Sequence, residues 1–309
     1  MRRFIIDTDT ASDDAVALVM ALRAQNIHVE AITCVHGNVP LQVASRNARI
    51  SVQKAATYQP PVYQGLAIPL LRVLEHRAES AHGADGLGNM NYPEPNVPLA
   101  DGNAVQKIVD IVAADDSGEL ELCAIGPMTN IAAAILLAPQ VMKKVKNLTV
   151  MGGQWRMIDA FTPNAEFNIA LDAEAVKIVL ESGMHTTFVP IDVCYGHTEI
   201  DAADRAVLRS YHTEVGDFFI DSNRCLLEMN RNAYGKDIIS MPDPTAIAVL
   251  IDPSIITGSF EARADIELRS PDGYGQLLYD LEADDKNCTV ITEIDAAKFK
   301  ELVFATAKY

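Results

Sequence analysis

Short β-branched runs alternate with segments of helical period along much of the chain. Phe4-Ile5-Ile6 is strand-like, and residues 13–24 have the composition of a helix. Residues 28–35 (HVEAITCV) read as a strand and 39–57 as a helix with apolar positions recurring at three and four. Further strands are predicted at 119–125, 147–151 and 186–191, and further helices from about Met128 to Leu137 and at 172–183. This rhythm predicts an α/β fold, a mostly parallel, Rossmann-like central sheet with helices on both faces. Ligands of such sheets bind beyond the carboxyl ends of the strands.

Two regions break the rhythm. Residues 66–103 are rich in Gly, Pro and Asn and predict a long excursion over the sheet edge. Residues 199–235 read as helical, with many polar residues and the aromatics Tyr211, Phe218, Phe219 and Tyr234. Neither has the composition of a linker, so residues 1–309 read as a single domain.

The 309 residues are 49% hydrophobic and 22% charged, enough for a sizeable buried core. Their 25 basic and 42 acidic residues leave a net charge of −17. An acidic field of that size argues against nucleic acid or an anionic membrane surface as partner. Five cysteines form no C-x-x-C, which argues against a disulfide framework or a structural zinc and favours a reducing compartment. The N-terminus lacks an apolar signal region, and no apolar run approaches the ~18 residues of a membrane span. A cytoplasmic protein is expected.

Against this background the stretch FIIDTDTASDDAVAL places Asp7, Asp9, Asp13 and Asp14 within eight residues, with no Lys or Arg between Phe4 and Leu22. Ser12 is a plausible N-cap of the first helix, which would put Asp13 and Asp14 in a first turn favourable to negative charge. That reading leaves Asp7 and Asp9 without a role. Like charges ~4 Å apart repel by about 4 kcal/mol at an effective dielectric of 20. Converging acids must therefore take up protons or hold a cation, and an all-oxygen donor set suits Ca²⁺ or Mg²⁺. Asp-x-Asp after a strand also suggests an aspartate-dependent phosphohydrolase. That motif wants Thr or Val where Ala11 stands, and it gives Asp13 and Asp14 no role.

Further motifs follow in order: VHGN (35–38), AHGADGLGN (81–89), AIGPMTNIAAAI (124–135), MGG (151–153), AEFNIALDAEAV (165–176), DPTAIAVL (243–250) and VITEIDAAKFKELV (290–303). Together with the opening D-x-D-x-x-x-D-D pattern, they resemble the nucleoside hydrolases of the inosine–uridine-preferring type over nearly the whole chain. The resemblance implies the nucleoside hydrolase fold and Ca²⁺-dependent cleavage of a ribonucleoside to ribose and free base, for salvage. It implies that Asp9, Asp14, Asp243 and the backbone carbonyl of Ile125 ligate the metal, with Asp7 a supporting ligand or an acid behind them. Asp9 would also take a proton from the attacking water. Asp13, Asn38 and Asn168 would bond the ribose hydroxyls, Glu166 would face the sugar near its 5′ side, and His82 would line the pocket. Relatives are often dimers or tetramers, so a homo-oligomer is expected.

Each of these residues also has a plainer reading. Asp243, in Met-Pro-Asp-Pro-Thr, is a plausible helix N-cap. His82 alone reads as a surface histidine, Asn168 as a turn residue and Glu166 as a solvated acid. Gly83, Gly86 and Gly88 lack a phosphate-binding spacing and read as a mobile loop. Trp155 suits either base stacking or core packing, and Tyr234 is a second possible base contact. Three positions depart from the family pattern. Thr10-Ala11 replaces Pro-Gly, Pro242 replaces a histidine that is a candidate proton donor, and Ala160 replaces an Asn. The donor would then be His36, His82, Tyr234 or Asp237, or the base would leave after protonation by water, and a nucleoside- or sugar-binding homologue with little turnover stays open.

Overall fold

The computed structural model describes residues 1–73, 78–156 and 164–309. Among the described residues nine strands form one sheet: β1 (Arg2–Thr8), β2 (Ile27–Cys34), β3 (Val62–Gln64), β4 (Leu120–Ala124), β5 (Leu148–Met151), β6 (Thr186–Val189), β7 (Ile256–Ile266), β8 (Leu277–Asp280) and β9 (Cys288–Ile294). Their order is β3-β2-β1-β4-β5-β6-β9-β7-β8. From β3 to β9 in that order every pairing is parallel, and β7 runs antiparallel to both β9 and β8. The mostly parallel sheet expected from the sequence is present.

The helices are α1 (Ser12–Arg23), α2 (Leu41–Ala55), α3 (Glu79–His82), α4 (Ala104–Ala114), α5 (Thr129–Leu137), α6 (Pro139–Met142), α7 (Phe167–Leu171), α8 (Ala173–Glu181), α9 (Ala202–Ser210), α10 (Glu214–Asp221), α11 (Arg224–Tyr234), α12 (Pro242–Ile251) and α13 (Ala296–Ala307). They cover both faces, because successive side chains of a strand point to opposite sides. Phe4 and Ile6 of β1 join one apolar cluster with residues of α1, α2 and α12, whereas Ile5 joins another with residues of α4, α5 and α8.

The Gly- and Pro-rich excursion starts and ends on the edge strand. Ala100 N donates to Val62 O at 2.9 Å, and Gln64 bridges Asn103. Residues 199–235 are largely helical, as α9, α10 and α11. All five cysteines are free. Among the described residues no helix is long and apolar enough to cross a membrane.

The topology locates the chemistry. From β1 the chain moves outward to β2 and β3, then returns to β4 on the other side of β1. Such a reversal opens a crevice at the carboxyl ends of the two diverging strands, here β1 and β4.

Candidate active site

The aspartate-rich turn lies in that crevice, between the end of β1 and the start of α1. Carboxylate oxygens of Asp13, Asp14 and Asp243 all lie within 4.8 Å of one another, and all three residues are buried. Asp13 and Asp14 come from the first turn of α1, and Asp243 from the first turn of α12. The caps differ from those expected. Ala11, not Ser12, caps α1, and its N–H donates to Asp14 Oδ2 at 2.9 Å. Met241, not Asp243, caps α12, because Pro242 is already the first helical residue, a position that needs no N–H donor.

Asp14 is the centre of the group. Its Oδ1 accepts from Thr8 Oγ1 at 2.7 Å, and its carboxyl also interacts with Asp9 and Asp243. Asn38 N donates to Asp9 Oδ2 at 2.6 Å, while Asp9 Oδ1 is buried and, among the described residues, has no hydrogen-bond partner. Asp7 stands one layer deeper, its Oδ1 accepting from Thr33 Oγ1 at 2.5 Å and Asn130 Nδ2 at 2.8 Å. It lies outside the three-acid group.

Burial pushes all five carboxyls up, to about 7 for Asp7 and Asp13. Neighbouring carboxylates add to this at Asp9, Asp13 and Asp243. Among the described residues no Lys or Arg counters them. Buried like charges without a cationic side chain are stable only if protonated or bound to a metal. The orphaned oxygens on Asp9 and Asp7 and the hard, all-oxygen donors fit a divalent ion such as Ca²⁺.

The remaining predicted residues line up around this centre with different occupations. Asn38 Nδ2 reaches Asp14 Oδ2 at 3.4 Å. Asn168 lies in α7 rather than in a turn, its Nδ2 3.2 Å from Met151 O and 3.5 Å from Ile125 O, with Oδ1 buried and, among the described residues, without a hydrogen-bond partner. Glu166 is buried, not solvated, and caps α7. Oε1 accepts from Asn168 N at 3.0 Å, and Oε2 from Gly153 N at 3.1 Å and Ile169 N at 3.2 Å.

His82 is buried rather than on the surface, and its Nδ1 lies 2.6 Å from Ser12 Oγ. The Gly-rich segment that follows is not a loose loop. Asp85 Oδ1 accepts from Leu87 N and Asn89 N, and Oδ2 from Asn91 N, each at 2.8 Å. Gly88 N returns to His82 O at 2.8 Å.

Other positions fall away from the acids. Trp155 packs edge-on against Phe260 with ring centroids 5.8 Å apart, and Arg156 covers its face. Tyr234 ends α11 and is exposed. Asp237 pairs with Arg205 and Arg231 at 2.7 Å each, and the Arg231 hydrogen bond above all holds it below the usual carboxylate range. His36 is pushed down to about 4 by burial. Its Nε2 meets Thr129 Oγ1 at 2.9 Å, and that hydroxyl donates to Asp172 at 2.7 Å. Ala160 lies outside the described residues. A Gly-Asp-x-x-x-Asp sequence that a phosphohydrolase needs is present at 216–221, but Asp217 and Asp221 both pair with Arg209.

The chain has counterparts in known proteins over nearly its whole length. The profile of the inosine-uridine preferring nucleoside hydrolases matches residues 4–301. The chain belongs to that family. It is 34% identical over 309 residues to the inosine-uridine preferring nucleoside hydrolase of Leishmania major, spanning 98% of this chain and 96% of the other. It is 29% identical to a pyrimidine-specific ribonucleoside hydrolase of Salmonella gallinarum, spanning 99% and 98%. A solved purine-preferring ribonucleoside hydrolase from Gardnerella vaginalis superposes with a TM-score of 0.91 at 26% identity, covering 99% of both chains. The chain is thus an enzyme of the class that hydrolyses nucleosides to ribose and base. Its acid cluster could hold a metal.

Proposed function

We propose that this enzyme cleaves ribonucleosides with Ca²⁺ held by Asp9, Asp14, Asp243 and the carbonyl of Ile125, with Asp13 at the rim of the metal and the sugar. The observation that carries this reading is the buried trio Asp13, Asp14 and Asp243, crowded within 4.8 Å and without a cationic partner among the described residues. Calcium when bound would supply Lewis acidity and coordination positions for a vicinal diol and for water. Asp7, tied to Thr33 and Asn130, supports Asp9 from behind.

The protein groups divide the reaction. Asp9, with Oδ1 unclaimed, takes a proton from the water that attacks the anomeric carbon. Asp13, Asn38 and Asn168 bond the ribose hydroxyls, and the unpartnered Oδ1 of Asn168 favours this. Glu166 shapes the sugar side through the start of α7. The surrounding carboxylates stabilise the positive charge that develops on ribose as the C–N bond breaks.

The departing base needs a proton, and Pro242 has none to give. Tyr234 is exposed at the end of α11 and Asp237 is ionised between two arginines, while His36 is held neutral against Thr129. His82, buried beside the residue that precedes Asp13, is the donor that fits. Relatives with inosine–uridine, pyrimidine and purine preferences all align with the chain, so the base class is left open in this reading.

One sheet drawing strands from both ends of the chain supports a single domain. The net charge and the five free cysteines fit a cytoplasmic salvage enzyme, and a homo-oligomer is part of the same reading. Turnover of a ribonucleoside against its 2′-deoxy analogue tests the assignment. A loss of about a hundredfold or more in kcat/KM is expected, and equal turnover would remove the diol from the reaction.

A further inference from the structure

We propose that Asn47 is a positioning residue that couples the aspartate turn to the glycine-rich segment following His82, so that a metal held at the turn steadies the segment. The inference rests on the reading of the acids as a Ca²⁺ site and adds a link from that site to a second part of the chain.

Asn47 lies in α2, fully buried, and its side-chain nitrogen serves two distant stretches of chain. Nδ2 donates to Thr10 O at 3.1 Å and to Asp85 O at 3.0 Å. An amide nitrogen carries two N–H groups, so both are used. Oδ1 is buried and, among the described residues, has no hydrogen-bond partner. The two carbonyls alone therefore orient the amide, and turning it away from one breaks its bond to the other.

Each carbonyl belongs to a different part of the site. Thr10 stands between Asp9 and Asp14, in the turn that opens α1. Asp85 gathers the amides of Leu87, Asn89 and Asn91 on its carboxylate, and Gly88 N closes back to His82 O. Residues 82–91 are thus one hydrogen-bonded unit, and Asn47 grips it at a close approach. A Cβ on Gly86, whose φ is +72°, would lie 2.7 Å from Asn47 Nδ2. Ser12 Oγ also touches this unit, but at its near end, on the ring of His82. Asn47 holds the far turn that Asp85 closes. With Asp9 and Asp14 committed to a metal, Thr10 O is fixed between them and the amide keeps its orientation. Opening of the Asp85 turn then costs more than it does without metal.

Hydrogen exchange of the full-length protein, with and without Ca²⁺, tests this at the amides of Leu87, Asn89 and Asn91. In the wild type, saturating Ca²⁺ is expected to slow their exchange about fivefold or more. In Asn47→Ala the same addition should change it by less than about twofold, while calorimetry still shows Ca²⁺ bound. A merely structural role for Asn47 would speed exchange equally with and without metal and leave the ratio as in the wild type. Gly86→Ala crowds the Asp85 side and leaves Asn47 and Thr10 in place, and it should lose the Ca²⁺ response as well.

Wild-type exchange that ignores bound Ca²⁺, or a Ca²⁺ response kept in Asn47→Ala, would overturn the proposal, and the first of these needs no variant to fold. Wild-type protein that takes up no Ca²⁺ in the calorimeter would overturn the metal reading itself, and the coupling with it.

Discussion

A Cβ on Gly37 would lie 2.6 Å from Cγ of Asp9, so the turn after β2 closes over this carboxylate only because residue 37 has no side chain. Gly126, after β4, is in the same position from the other side, where a Cβ would lie 2.7 Å from Oδ1. The glycines of VHGN and AIGP thus serve close approach to an acid. Their neighbours follow, since Asn38 N reaches Asp9 only in this packing.

Gly37→Ala is expected to displace either the turn or Asp9 and to remove the Asn38 N–H from Oδ2. Ca²⁺ affinity should fall about tenfold or more, and stability by about 1–3 kcal/mol, as for other overpacked sites. Calorimetric titration and urea denaturation read the two effects. A variant that binds Ca²⁺ like the wild type would show that the turn does not hold Asp9 for the metal.

Asp243→Asn separates the cost of the crowded acids from their use. In chelated protein the change removes one of three close carboxyls, so unfolding should move upward by a few °C, on the order of 1–2 kcal/mol. In Ca²⁺ the wild type should gain stability with metal concentration and the variant should not. A variant less stable than the wild type in chelator would mean that Asp243 contributes to the fold by another route.

His36 gives a pH dependence of defined sign. Burial lowers its folded value from 6.5 to about 4. Between those values the unfolded chain binds a proton that the folded chain does not, so stability falls as pH drops through this window. Above about 6.5 the group is neutral in both states, and its cost is absent. His36→Gln keeps a hydrogen-bonding group opposite Thr129 but cannot titrate. The stability advantage of wild type over the variant should shrink between pH 7 and pH 4.5, by at most about 3 kcal/mol. An advantage independent of pH would contradict the assignment.

Much of the fold is legible in the sequence where a local rule decides the structure. Short β-branched runs mark the parallel strands β1, β2, β4, β5 and β6, and each lies within two residues of its expected span. The acid cluster is legible because four neighbouring carboxylates with no base among them must bind a cation or take up protons. The antiparallel β7 also carries a signal, alternating Phe260, Ala262, Ala264 and Ile266 with Glu261, Arg263 and Asp265, although it lies outside the βα rhythm of the earlier strands.

What stays hidden depends on partners far away in the chain. Ser12 has every local mark of an N-cap, yet its hydroxyl is taken by a histidine 70 positions on, and Asp14 serves the Ala11 N–H instead. The glycines at 83, 86 and 88 suggest mobility only until Asp85 is seen to collect three backbone amides. Glu166 has the look of a solvated acid because no pattern near it shows that three amides close on its carboxylate. Asn130 and Thr33, which hold Asp7, carry no local sign of that role either, although Asn130 lies inside the GPMTN motif.

The central claim is that the buried acids work by holding Ca²⁺ for a ribonucleoside, and release of reducing sugar measures this directly. Protein stripped with chelator and then supplied with inosine or uridine should form no ribose above the uncatalysed rate, and adding Ca²⁺ should restore ribose formation with a saturable dependence on the metal. Ribose formed at the full rate by the stripped protein, or none from any ribonucleoside after Ca²⁺ is returned, would contradict the claim.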